Sequence, residues 1–209
     1  MKKQTVVLFG GSFDPIHKGH TTVATCAIDQ LHADQVFFVP AKRSPLKKHM
    51  PQANDQQRLD MIQLAIQDCE GYQVCDYEVN RPAPSYTLHT VKHFKETYGD
   101  NSTLYWLIGA DAVRDLPQWY GIKELLDLCT LSTMHRAGCA EPSFASLEPE
   151  MGPKRVSRLS QHIITTPLMP ISSTDIRKRL KHNESTTDLL DPQVEKYIKT
   201  NHLYEGGGD

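Results

Sequence analysis

The sequence predicts an α/β fold, built on an open and mostly parallel sheet with helices on both faces. Short apolar runs alternate along the chain with segments whose apolar residues recur at helical spacing. The runs also lack the polar–apolar alternation of a half-exposed strand, as expected when helices cover both faces of a sheet.

Six strands are predicted, all rich in Val, Ile, Phe and Tyr, at residues 5–9, 36–39, 73–77, 104–108, 128–133 and 162–165. Between them, apolar stripes predict helices at residues 21–31, 55–68 and 86–98. Only helices are predicted after residue 165, at 172–180 and about 188–200, with Pro192 in a first turn, where proline is tolerated. We therefore expect one domain over 1–204, a small helical C-terminal portion at 165–204 and a flexible tail at 205–209. Residues 137–153 are predicted to form a loop or a short helical insertion.

Composition excludes several classes of protein. With 209 residues, 39% hydrophobic and 23% charged, the chain is neither fibrous nor wholly disordered. A formal charge of −2 argues against a nucleic-acid polymer as partner. Five cysteines without a C-x-x-C pair fit free thiols in a reducing cytosol, so a cytoplasmic protein is expected. No apolar run approaches the ~18 residues of a membrane span, so no membrane contact is expected.

Positive charge is unevenly distributed along the chain. Such clusters either form a solvated surface or surround a small polyanionic substrate, and both interpretations stay open. The three clusters are Lys42, Arg43, Lys47 and Lys48; Lys154, Arg155 and Arg158; and Arg177, Lys178, Arg179 and Lys181.

The first candidate site joins the first strand to the first helix, with the string G-G-S-F-D-P-I-H-K-G-H at residues 10–20. Two glycines let the backbone turn tightly and approach a ligand, and the helix start offers unpaired N–H groups to phosphate. His17 and His20 are spaced so that both imidazoles can face one anion. The string is neither a G-x-G-x-x-G fingerprint nor a P-loop.

The second candidate site is the string I-S-S-T-D-I-R at residues 171–177, which opens a late helix. Three hydroxyl groups and free N–H groups at a helix start, with an arginine one turn on, suit a pyrophosphate group.

These two strings together resemble the signatures of the nucleotidyltransferase superfamily, and within it the chain is similar to the bacterial nicotinate-nucleotide adenylyltransferases. Three further strings resemble that family's motifs: P-S-Y-T at 84–87, I-G-A-D at 108–111 and L-P-Q-W-Y at 116–120. The resemblance implies a Rossmann-like fold and adenylyl transfer from ATP to nicotinate mononucleotide. It also implies Mg²⁺ as the cofactor accompanying ATP, with no metal site made by the protein.

The resemblance also implies roles for individual residues. The catalytic set is His17, His20 and Arg177. The ATP-binding set is Gly10, Gly11, Ser12, Phe13, Gly109, Asp111, Arg136, Ile171, Ser172, Ser173 and Thr174. The set expected to bind the mononucleotide is Asp14, Lys47, Ser85, Tyr86, Thr87, Trp119 and Tyr120.

Two positions depart from the family's pattern. The usual P-P-H-K is S-P-L-K at residues 44–47, so Leu46 replaces a histidine. The usual R-P-G is R-A-G at residues 136–138. Two residues also allow a structural interpretation, because Trp119 could belong to the core and Asp111 could cap a helix.

Other functions stay open at this stage. The acceptor could be nicotinamide mononucleotide or phosphopantetheine, and the chain could be a nucleotide-binding module without catalysis. His89 and His93 have a spacing that can seat a metal, but no glutamate follows His89 and a metal site is not predicted. The sequence leaves homo-oligomerisation open.

Overall fold

Six parallel strands form one sheet in the computed structural model, which describes residues 3–47, 49–136 and 142–205. The strand order is β3-β2-β1-β4-β5-β6. The strands are β1 (Gln4–Gly11), β2 (Gln35–Pro40), β3 (Tyr72–Val74), β4 (Ser102–Gly109), β5 (Thr130–Arg136) and β6 (Ile163–Thr166).

Eight α-helices lie within these described ranges, together with 3₁₀ turns at Ala110–Gln118 and Ala145–Leu147. None of the described helices has the length and apolar content needed to cross a bilayer. The helices are α1 (Lys18–Leu31), α2 (Asp55–Ile66), α3 (Thr87–Tyr98), α4 (Ile122–Leu128), α5 (Glu148–Met151), α6 (Pro153–Ser160), α7 (Ser173–Lys181) and α8 (Pro192–Thr200).

Helices cover both faces of the sheet, and this explains the continuous apolar runs. Val6 and Leu8 of β1 pack in one core with side chains of α3 and α4. Val7 and Phe9, the intervening residues, pack in the opposite core with side chains of α1 and α8. Because both faces are buried, the residues of β1 from Val6 to Phe9 are all apolar, and the predicted α/β class is confirmed.

Most predicted elements are present, with shifted ends. The strand predicted at 128–133 starts only at Thr130, because Leu128 ends α4, a seven-residue helix too short to show a clear period. β3 ends at Val74 rather than residue 77, and turns follow it. The last helix starts at Pro192, where the side chain of Asp191 accepts from the backbone N–H of Gln193 at 2.8 Å.

The least regular predicted segments are only partly described. Residues 137–141 of the 137–153 insertion, and residues 206–209 of the predicted tail, lie outside the described ranges. The described part of the insertion forms short helical turns and begins α6. After β6, α7 and α8 are the regular elements in the described part of the chain, as predicted for the C-terminal portion.

The sheet's topology places a crevice above β1 and β4. The chain proceeds outward from β1 through β2 to β3, then returns to place β4 on the other side of β1. The loops after β1 and β4 therefore leave in opposite directions, and such a reversal is where open α/β sheets bind ligands.

Candidate active site

Two adjoining chambers occupy this crevice. The large chamber has a volume of about 730 Å³ and is bounded by the loop after β1, the start of α1 and the start of α7. The small chamber has a volume of about 250 Å³ and is bounded by residues 85–87, by Trp119 and by the 44–47 loop. The two share five lining residues, namely Gly11, Ser12, Lys47, Gly109 and Met134. A molecule in one chamber therefore meets a molecule in the other at the carboxyl ends of β1 and β4.

Two stacked imidazoles line the large chamber at the start of α1. The ring centroids of His17 and His20 are 3.7 Å apart. The backbone N–H of His17 donates to Nδ1 of His20 at 3.2 Å, so the proton of a neutral His20 ring lies on Nε2. Nδ1 of His17 is buried and has no hydrogen-bond partner. The site therefore holds an unused imidazole nitrogen and a fixed tautomer.

Both histidines are neutral at pH 7. Burial lowers the pKa of His17 from 6.5 to about 4. Burial also lowers the pKa of His20 well below its usual value, and repulsion from the nearby charge of Lys47 lowers it further. Desolvation disfavours the charged imidazolium, so the rings act here as hydrogen-bonding groups rather than fixed charges.

The loop after β1 is held from beneath by Arg58, which the sequence analysis did not select. The Arg58 side chain is completely buried, and its Nη1 donates to the carbonyl of Ser12 at 2.8 Å. Its Nη2 donates to the Asp55 carboxylate at 2.7 Å. On the chamber side, Nζ of Lys47 donates to the Ser12 hydroxyl at 2.8 Å. Ser12 is thus fixed from both sides of the loop.

Asp14 lies apart from the aromatic residues that are expected to bind the mononucleotide with it. It was expected to contact the mononucleotide with Trp119, but it lines the large chamber and not the small one. It is only 4% exposed, and its carboxylate accepts hydrogen bonds from the backbone N–H groups of Gln52 and Ala53 and from the Tyr204 hydroxyl. A buried carboxylate with three donors organises the loop from within the protein.

The two phosphate-type motifs, about 150 residues apart in sequence, are in direct contact. Nη1 of Arg177 in α7 donates to the carbonyl of Asp14 at 2.6 Å. The hydroxyl of Ser173 donates to the carbonyl of Pro15 at 2.9 Å. Ser172 caps α7, since its hydroxyl accepts from the backbone N–H of Asp175. The N-termini of α1 and α7 therefore open into one chamber.

The small chamber has an aromatic lining. Trp119 follows the 3₁₀ turn and is partly buried against the core, while Tyr120 is 56% exposed and lies 4.8 Å from the Tyr86 ring. Trp106 of β4 lines the same chamber and lies directly against Gly10, where an added Cβ would be 2.3 Å from its ring. The absence of a side chain at Gly10 therefore makes room for the Trp106 indole.

Polar groups fix the P-S-Y-T turn beside these rings. The backbone N–H of Ser85 donates to the carbonyl of Arg43 at 2.9 Å, and its hydroxyl accepts from the backbone N–H of Lys42 at 2.9 Å. Glu78 is buried in the chamber wall and accepts from the Thr90 hydroxyl at 2.5 Å. Burial raises the pKa of Glu78.

Nearly all the predicted site residues line one of the two chambers. Of these predicted residues, six line the small chamber alone: Gly10, Ser85, Tyr86, Thr87, Trp119 and Tyr120. Ten line the large chamber alone: Phe13, Asp14, His17, His20, Asp111, Ile171, Ser172, Ser173, Thr174 and Arg177. Arg136 ends β5, and its side chain lies outside the described part of the structure. Asp111 is not the N-cap of the 3₁₀ turn, since Gly109 holds that position.

Four residues that support or line these chambers have no predicted role in the sequence. Trp106 lies in a predicted strand and Met134 directly after one, and no role is predicted for them or for Tyr204. Arg58 could have been recognised from its spacing, because it lies on the same buried face of α2 as Met61 and Ile62. An arginine on an apolar stripe indicates a buried charge with dedicated partners.

Comparisons with known proteins give the family. The sequence model of the cytidylyltransferase-like family matches residues 8–179. A relative from Methylacidiphilum infernorum, named probable nicotinate-nucleotide adenylyltransferase, is 37% identical over 98% of this chain and 95% of its own length. A relative of the same name from Staphylococcus epidermidis is 37% identical over 95% of this chain and 96% of its own. The chain belongs to the nicotinate-nucleotide adenylyltransferase family.

Solved structures of lower sequence identity share the fold. The Plasmodium falciparum nicotinic acid mononucleotide adenylyltransferase complexed with NaAD has a TM-score of 0.69 and 18% identity, covering 96% of this chain and 97% of that one. The same enzyme complexed with APC gives a TM-score of 0.68 at 18% identity, with the same coverage. The Rossmann-like arrangement expected for the family is therefore present.

Proposed function

We propose that this protein transfers the adenylyl group of ATP to nicotinate mononucleotide, forming nicotinate adenine dinucleotide and pyrophosphate in NAD biosynthesis. One observation carries the proposal: a chamber built for phosphates adjoins a chamber lined by aromatic rings, and the two share Gly11, Ser12 and Lys47. Family membership and the P. falciparum relative complexed with NaAD support the same reaction.

The large chamber suits the triphosphate of ATP. Two helix N-termini, those of α1 and α7, direct their positive dipole ends into it. Arg177, with its guanidinium only about a quarter exposed, adds a permanent positive charge. The Thr174 hydroxyl adds a neutral donor, whereas those of Ser172 and Ser173 already donate to the Asp175 carboxylate and the Pro15 carbonyl. The β- and γ-phosphates would lie here, and the adenosine near Gly109 and Asp111.

The small chamber suits a pyridine ring. A flat indole at Trp119 offers a stacking surface whose electron-rich face attracts an electron-poor pyridinium. Tyr86 and Thr87 begin α3, so their backbone N–H groups can donate to a carboxylate on the ring. Lys47 lies at the junction of the chambers, where the mononucleotide's 5′-phosphate would lie.

The proposed reaction is an in-line displacement at the α-phosphorus. An oxygen of the mononucleotide's 5′-phosphate forms a bond to the α-phosphorus, and the bond from that phosphorus to the bridging oxygen breaks, releasing pyrophosphate. The second pKa of a phosphomonoester is about 6, so the nucleophile is ionised at pH 7 without a protein base. The protein positions two polyanions and donates hydrogen bonds to developing charge, with Nε2–H of His20 directed at the α-phosphoryl group.

Mg²⁺ enters this proposal as part of the ATP substrate. Within the described residues, histidine, cysteine and acidic side chains do not assemble in groups of three that could hold a metal ion. The Asp14 carboxylate already accepts three hydrogen bonds from the protein. The site therefore suits a magnesium ion that is held by phosphate oxygens and water rather than by a protein cage.

The test is pyrophosphate release from ATP in the presence of single acceptors. The protein is incubated with Mg²⁺, ATP and nicotinate mononucleotide, nicotinamide mononucleotide or 4′-phosphopantetheine, each in a separate reaction. We expect fastest release with nicotinate mononucleotide and formation of the dinucleotide. ATP binding without release for any acceptor would indicate a non-catalytic binding module, and preference for another acceptor would reassign the substrate.

A further inference from the structure

We propose that Tyr204, near the C-terminal end of the chain, is a positioning residue for the large chamber. Its hydroxyl orients the Asp14 carboxylate, and Asp14 in turn orients Arg177. The proposal rests on the proposed function only in identifying the bound polyphosphate as ATP.

The Asp14 carboxylate collects donors from two distant parts of the chain. Its Oδ2 accepts from the backbone N–H of Gln52 at 2.8 Å. Its Oδ1 accepts from the backbone N–H of Ala53 at 3.0 Å and from the Tyr204 hydroxyl at 2.7 Å. The phenol is thus the only side-chain donor among the three, and it comes from a residue 190 positions later in sequence.

The turn that presents Tyr204 is anchored independently of Asp14. Leu203 is buried, and its backbone N–H donates to the carbonyl of Ile198 at 3.0 Å, so the turn folds back on α8. Tyr204 has a φ of +63°, a left-handed conformation that non-glycine residues rarely adopt. Its surroundings therefore hold a strained backbone in place to keep the phenol beneath the loop.

The phenol keeps its proton and acts as a donor. Burial raises the pKa of Tyr204, and the neighbouring Asp14 carboxylate raises it further. The hydrogen bond therefore joins a neutral hydroxyl to an ionic oxygen, which is a strong pairing in a buried place.

Asp14, held in this way, fixes the position of the Arg177 guanidinium. Nη1 of Arg177 donates to the Asp14 carbonyl at 2.6 Å and lies 3.8 Å from the Asp14 carboxylate. Tyr204 and Arg177 also line one cavity of about 320 Å³, behind the large chamber. Without the phenol, Oδ1 of Asp14, a residue only 4% exposed, keeps one donor instead of two. The residue would reorient to recover that bond, and Arg177 would lose its fixed geometry.

The chain provides a matched control. Tyr197, in α8, also donates its hydroxyl to a carboxylate at 2.7 Å, in this case that of Asp60. Asp60 lines neither chamber. Tyr204→Phe and Tyr197→Phe each remove one phenol–carboxylate bond of equal length from the same end of the chain, but only Tyr204→Phe touches the loop that carries the site.

The experiment measures ATP affinity by calorimetry without any acceptor, and then KM for ATP and for nicotinate mononucleotide. An Arg177 guanidinium without fixed geometry would weaken its charge-assisted hydrogen bond to the polyphosphate, and losing such a bond typically weakens binding about fivefold or more. We expect that loss for ATP in Tyr204→Phe, a less than twofold change in KM for the mononucleotide, and wild-type values for Tyr197→Phe. Wild-type ATP affinity in Tyr204→Phe, or equal losses in both variants, would overturn the proposal.

A truncation pair gives a second, independent test. Removing residues 204–209 deletes the phenol, whereas removing residues 206–209 spares it, so only the longer deletion should weaken ATP. Because ATP binding is measured alone, failure of the proposed function is separable: a wild-type protein that binds ATP but releases no pyrophosphate contradicts the reaction and leaves this comparison valid.

Discussion

His17 links the free energy of unfolding of this protein to pH. Burial lowers the pKa of His17 from 6.5 to about 4, so between these values the unfolded chain binds a proton that the folded chain resists. A pKa difference of about 2.5, at about 1.4 kcal/mol for each pKa unit, gives a total cost of about 3 kcal/mol. Above about pH 7 His17 subtracts almost nothing from the free energy of unfolding. As the pH drops, about 2 kcal/mol of that free energy is lost by pH 5 and most of the rest by pH 4.

The measurement is urea unfolding at pH 7 and pH 5, followed by the fluorescence of Trp106 and Trp119. His17→Gln cannot titrate at this position, so we expect it to lose about 2 kcal/mol less than the wild type between the two pH values. Because His20 is present in both proteins, the difference between them reports on His17. His49→Gln, which changes an exposed imidazole, should lose as much as the wild type. Equal losses in His17→Gln and the wild type would refute the assignment of a neutral, buried His17.

Three further predictions concern individual side chains. His20→Ala should lower turnover roughly a hundredfold or more with the fold intact, because it removes a donor to the reacting phosphoryl group; near-normal turnover would contradict its role. Trp119→Ala should raise KM for the mononucleotide far more than KM for ATP, whereas equal effects on both would argue against stacking on the pyridine. Gly10→Ala should lower the free energy of unfolding by about 1–3 kcal/mol, because its Cβ would lie 2.3 Å from the Trp106 ring; wild-type stability in denaturant titration would show that Trp106 moves freely.

The sheet was largely predictable because its signal is local. Each residue of β1 from Val6 to Phe9 is apolar, since one face packs under α3 and the other under α1. A strand buried on both faces can therefore be predicted from its own residues, without knowledge of its neighbours in space. The short helix α4 could not be predicted in this way, because seven residues make too few turns to show a helical spacing of apolar residues. Its position depends on packing against the sheet.

The candidate site divides in the same way. Glycines, paired histidines and a hydroxyl-rich helix start are features of short strings, so residues 10–20 and 171–177 predicted a phosphate site, and the fold brings the strings together through Arg177 and Asp14. The Asp14 carboxylate, by contrast, is held by Gln52, Ala53 and Tyr204, which are distant from it in sequence. The sequence carries no local sign of those contacts.

By itself, then, the sequence determined the α/β class, the six strands, the longer helices and the two strings whose backbone and side chains suit phosphate. These properties depend on residues within one or two turns of each other, where propensity and periodicity act. Only the tertiary structure decided the protonation of His17, the burial of Arg58 and the contact between Tyr204 and Asp14. Desolvation and hydrogen bonding between distant segments arise when the chain closes on itself, because they depend on which groups exclude water from one another.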